Sequence, residues 1–201
     1  MSRTMRPVSL LAALLSASLI VACGSTPAER FYTLNTPALE RTQAPAASYS
    51  VVLGPVGLPE MVDRPQLVVR TSANRVTVLE HQRWAESLKT AIPRVLAANL
   101  GAQLGGVPVA TRSDMAARHA KYRVNVNIVQ LDAEVDHAVT VGAQWTIRKL
   151  PDGPSHRGES HFMESTQSDG YDALVAAHER ALSRVSADLA QEIQSVERAR
   201  P

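Results

Sequence analysis

Few residues in this chain are equipped for covalent chemistry, and the most conspicuous stands near the start. Cys23 is the only cysteine, and it closes an apolar, uncharged run of 15 residues, 8–22, that follows Arg3 and Arg6. A basic n-region and an apolar h-region read as an export signal, and a sole thiol at its end favours lipidation there. As a helix the run would span about 22 Å, short of a hydrocarbon core about 30 Å thick, so it directs export and does not form a permanent span. Cys23 is the expected lipidation site. The blander alternative is a buried thiol in an ordinary signal helix. Once acylated, the chain keeps no thiol for a disulfide, even in the oxidising compartment that export implies.

The other reactive side chains make no catalytic set. Gly-x-Ser-x-Gly is absent, which removes a nucleophile-elbow hydrolase. The glycines of 101–106 end a helical pattern instead of starting one, and Val107 stands where a phosphate loop needs Lys-Ser, so they read as a helix stop. His156 and His161 are five apart, on opposite faces of a strand, and are expected to be solvated and not metal ligands. His178 falls in an apolar helical stripe as a half-buried packing residue. No catalytic residue, metal or cofactor is expected.

The candidates for contact with a partner are Asp63, Arg64 and Arg83. Asp63 and Arg64, followed by Pro65, form either a partner-binding loop or a turn, with Arg70 as a strand partner for Asp63. Trp84 heads a helical stripe and reads as a core anchor. Arg83, about 100° around the same helix, is then the group available for an intermolecular salt bridge.

Composition bounds the rest. Of 201 residues 45% are hydrophobic, 20% charged and 4% aromatic, so the chain is globular with a core of Val, Leu, Ile and Ala. Arg3 and Arg6 belong to the leader, which leaves 19 basic and 19 acidic residues beyond it. A balanced chain lacks the concentrated basic face of a nucleic-acid binder.

Residues 31–34 suggest a first strand, and 35–48 an irregular connection. The β-branched run 51–56 reads as a strand with its ladder limited by Pro55, and 66–71 with 75–80 as a hairpin around 72–74. Trp84, Leu88, Ile92, Val95, Leu96, Leu100 and Leu104 mark a helix with a kink or break at Pro93, stopped by Gly105-Gly106. A short strand at 107–111 and a short helix at 113–120, capped by Ser113, follow. Strict alternation over 122–128 and 139–148 predicts two long strands joined by an extended tip at 132–137. A turn at 151–154 and a strand at 157–166 precede a helix of about 25 residues from Tyr171, with Asp169 near its N-cap. The expected fold is α/β: one domain, with a mixed, largely antiparallel sheet packed by two main helices.

Several of these segments also resemble a known family. The residues at 31–34, 54–56, 58–59, 63–70, 81–88 and 94–100 are similar to the ABC-type transport auxiliary lipoproteins, the pairing of Asp-Arg-Pro-Gln with Arg-Trp-Ala-Glu being the specific part. Two departures bear on the helix start: Ser87 stands where the family often has proline, and Pro93 lies inside the helix. The residues Ile20-Val21-Ala22-Cys23 resemble a bacterial lipobox, and Gly24, where inner-membrane lipoproteins often carry Asp, points to the outer membrane. The resemblance implies a signal peptide at 1–22, a lipidated tether at 23–30 and one domain over 31–201, similar to the TolB N-terminal domain. It further implies a non-catalytic docking subunit, in a homo-oligomeric ring, of an MCE-domain lipid transport system. The alternative is a carrier that holds lipid between helix and sheet; a filled interior would favour docking.

Overall fold

The computed structural model describes residues 27–36, 49–111 and 120–199. Cys23, the leader and the helix expected from Ser113 lie outside them. In chain order the elements are β1 (Arg30–Tyr32), β2 (Val51–Gly57), a 3-10 turn (Glu60–Val62), β3 (Gln66–Ser72), β4 (Arg75–Trp84), α1 (Leu88–Gln103), β5 (Val109–Thr111), β6 (Tyr122–Glu134), β7 (Ala138–Lys149), β8 (Ser155–Ser165) and α2 (Tyr171–Arg198). The α/β class with two helices stands, but the strands divide into two sheets where one was expected: β1-β4-β3 and β5-β2-β6-β7-β8.

The larger sheet is built by period-two alternation. Tyr122, Val124, Val126 and Ile128 of β6 are buried, while Arg123, Asn125, Asn127 and Val129 are exposed. The buried row shares one core with α2, whose Leu174, Leu182, Val185, Leu189 and Ile193 are fully enclosed. Two irregularities shape this sheet. Leu53 opposes Val124 and Val56 opposes Val126, so β2 carries one extra residue where Pro55 supplies no ladder N–H. Ile128 opposes Ala143 and Gln130 opposes Gly142, which makes Val129 the extra residue of a bulge. The shift brings Leu131 and Ala133 back to the buried side, where the distal half of β6 meets β3. The tip of this hairpin is tighter than the sequence suggests: pairing runs to Glu134 opposite Ala138, and Asp136 turns the chain with φ 57°.

The first helix differs from expectation at its start; the second begins at Tyr171 as expected and differs only in its cap. Trp84 is not helical. It ends β4, because its N–H donates to the Pro65 carbonyl (2.7 Å) and the Ala85 N–H to that of Tyr32 (2.8 Å). The helix begins after Ser87 and runs through Pro93 without a break. It ends as expected, in a Schellman arrangement: the Gly106 N–H donates to Gly101 (2.9 Å) and Gly105 to Ala102 (3.0 Å), with both glycines at positive φ. Asp169 does not cap α2. The N-cap is Gly170, and its N–H donates to the Asp136 carboxylate from the β6–β7 turn (2.7 Å).

Trp145 of β7 lies across its β8 neighbour Gly158, its indole N–H donating to Ser160 Oγ (3.1 Å). A β-carbon at position 158 would overlap the indole ring. Gly158→Ala should therefore destabilise by about 1–3 kcal/mol. The Gly158→Ala, Trp145→Phe double variant should recover part of that loss in a double-mutant cycle read by urea unfolding; simple additivity would disprove the contact.

Candidate docking surface

The three charged candidates gather at one corner of the smaller sheet. The 3-10 turn delivers Asp63: its N–H donates to Glu60 (3.2 Å), and the Arg64 N–H to Val62 (2.9 Å). The Asp63 carboxylate pairs with Lys89 Nζ at 2.5 Å, in the first turn of α1, and not with Arg70. Arg70 stands four residues beyond Gln66 along β3, about 13 Å up the strand, while α1 starts beside the turn. The Arg70 guanidinium instead bonds Asp132 of β6 through Nε (3.0 Å) and Nη2 (2.6 Å), a tie between the two sheets. Arg64 is exposed and has no partner among the described residues.

Arg83 and Trp84 are consecutive on a strand, so they point to opposite sides and not 100° apart. Arg83 Nη1 pairs with Glu29 Oε1 at 2.9 Å, just before β1. The side chain proposed for contact between molecules thus has a partner within the chain. Trp84 is buried, as its apolar character required. Its ring meets His178 edge-on, with centroids 5.5 Å apart. His178 is wholly enclosed and not half-buried. Burial lowers its pKa to about 4, and its Nδ1 lies 2.8 Å from the Leu174 carbonyl oxygen, an arrangement that fits a neutral ring donating from Nδ1.

His156 is not simply solvated: its Nδ1 lies 3.0 Å from Glu192. His161 falls on the opposite face of β8, as the spacing required. Among the described residues no group of three or more His, Cys, Asp or Glu could hold a metal ion, and no helix is long and apolar enough to cross a membrane. The corner's geometry is that of an ion-paired surface above a tight core. Sequence reasoning missed the open face of the larger sheet, whose exposed polar residues were visible only as the wet half of an alternation.

Residues 32–190 match the family model of the ABC-type transport auxiliary lipoprotein component. The chain belongs to this family. Over 144 residues it is 27% identical to the intermembrane transport lipoprotein PqiC of Escherichia coli and, equally, of Shigella flexneri, covering 69% of this chain and 72% of each relative. A crystal structure of an uncharacterized protein shares the fold with TM-score 0.69 and 23% identity, covering 83% of this chain and 99% of that one. A Xanthomonas campestris protein does so with TM-score 0.62 and 15% identity, over 80% and 92%. As an auxiliary lipoprotein of this family, the chain takes its place in a transport system, and its corner residues are read in that setting.

Trp84→Ala should cost about 3–5 kcal/mol, whereas Arg83→Ala, which breaks one exposed ion pair, should stay within about 1 kcal/mol. Thermal and urea unfolding of both variants checks this; a Trp84→Ala protein as stable as wild type would show the indole is not a core anchor. His178 gives a second expectation. Its pKa is lower folded than unfolded, so its contribution is complete above about pH 6.5 and is lost as pH falls towards 4, by up to about 1.4 kcal/mol per pH unit. Urea unfolding between pH 7.5 and 4.5 should show that slope in wild type and a shallower one in His178→Leu; equal slopes would refute it.

Proposed function

We propose that this chain is an outer-membrane lipoprotein, anchored through Cys23 on the periplasmic face, that acts as a non-catalytic docking subunit of an MCE-type intermembrane lipid transport system. Family membership and the name of its relative PqiC support the transport role. Gly24 after the cysteine supports the outer membrane. The reading includes assembly into a homo-oligomeric ring, and it treats the membrane and an MCE-domain subunit as the two things the protein connects.

One observation favours docking over carriage of lipid: the interior between α2 and the larger sheet is filled. Leu182, Val185 and Leu189 share one core with Val124, Val126 and Ile147, and none of the six is more than 3% exposed. Beside Trp84 and His178 a cavity of about 10 Å³ remains, lined also by Leu67, Leu88 and Leu131. That is room for about one water, against the roughly 300 Å³ or more of a small-ligand site.

Full-length protein extracted from membranes in mild detergent should retain the MCE-domain subunit and no stoichiometric phospholipid by native mass spectrometry. Cys23→Ser should leave an unprocessed, unacylated precursor, since no other cysteine can substitute. Bound phospholipid at one per chain with no MCE-domain subunit would replace docking by the carrier reading. An acylated product from the variant would remove Cys23 as the anchor.

A further inference from the structure

The helices cover one face of the five-stranded sheet, and the other face carries six polar side chains that no other described residue partners. Strand register sets its rows. Asn125, Thr146 and Arg157 stand side by side across β6, β7 and β8, and Asn127, Gln144 and Glu159 form the next row. These six side chains have no hydrogen-bond or ion-pair partner among the described residues. In a third row Arg123 stands directly opposite Arg148, whose one ion pair, to Asp152, is long (3.7 Å) and exposed. Like charges directly opposite on a sheet are destabilising.

The surface is also a trough. Gly54 and Gly57 of β2 lack the β-carbons that would overlap the Asn125 and Asn127 amides, so these amides lie over β2. Beside them Gln144, Thr146, Arg157 and Glu159 line an open hollow.

We propose that this face is the docking site for an extended, acidic polypeptide segment of the partner, and that it, rather than the corner of Asp63 and Arg83, is the principal contact of the docking subunit. The inference rests on the docking reading given above. Three arginines against Glu159 and the distant, exposed Asp152 call for negative charge. Among the described residues most acids are engaged elsewhere, Asp63 with Lys89 and Glu164 with Arg180 and Arg184, which leaves the complement to another protein. The amides argue for a polypeptide over a lipid surface. Each offers a donor and an acceptor, which match backbone C=O and N–H, whereas a plane of phosphates presents acceptors alone and would meet Glu159 with repulsion. Acid groups of the segment settle between Arg123, Arg148 and Arg157, and its backbone lies along Asn127 and Gln144.

The test uses full-length protein in membranes carrying the combined Arg123→Glu and Arg157→Glu changes. Retention of the MCE-domain subunit in mild detergent should fall about tenfold or more, with the melting temperature within about 2 °C of wild type. The corresponding pair of Lys variants and Arg83→Glu should both retain it. Undiminished retention by the charge-reversed variant overturns the proposal. So does retention with loss of binding to phosphatidylglycerol vesicles, which would give the face to the membrane, or retention with a changed native mass, which would give it to a second copy. If wild type itself retains no MCE-domain subunit, the docking reading has failed before any variant is compared.

Discussion

The apolar stripe of α2 can be buried only against one side of one sheet, and much of the larger sheet's organisation follows from this. Leu174, Leu182, Val185, Leu189 and Ile193 are each fully enclosed, and burial of such side chains contributes about 1.5–3 kcal/mol apiece. They fix the inward rows of β7 and β8, on which α2 lies, and β6 follows in register with β7, so the pleat turns the intervening residues outward with no freedom to do otherwise. Where the pleat would have carried Leu131 and Ala133 to the wet side, the extra residue Val129 restores their phase. Its own exposure follows from that correction.

Sequence periodicity made β6, β7 and α2 readable because in each of them one local rule coincides with the tertiary outcome. It failed at Trp84 because two rules agree there for different reasons. Trp84 and Leu88 are four apart, as on a helix, yet the pair is strand end and helix start, and the backbone bonds that hold Trp84 extended come from Pro65 and Tyr32. The start of α2 at Tyr171 was legible, but its capping group was not. A cap was sought next to the helix in sequence, whereas the carboxylate that serves Gly170 belongs to Asp136 across the fold. Asp63 found Lys89, and Arg70 found Asp132, because ion pairs follow proximity that a one-dimensional reading does not contain.

The division into two sheets has a similar origin. β6 is longer than β2, and beyond Asn127 it no longer pairs with it. The distal half of β6 is therefore free to take β3 alongside, held by the Arg70–Asp132 pair and by Leu67 and Val69 in the shared core. One long strand thus joins a surface covered by helices to a smaller sheet that carries the ion-paired corner.

The short β1 strand has a mechanical meaning. It is the first described strand in chain order, and its three residues run parallel to Gln82–Trp84. Any pull on the N-terminal segment enters the domain through that seam and through the Glu29–Arg83 pair beside it. From there the load passes along β4 to the indole of Trp84 and across to His178 on α2. A tether attached at this point would hang the domain from its core, leaving the open sheet face outside the load path.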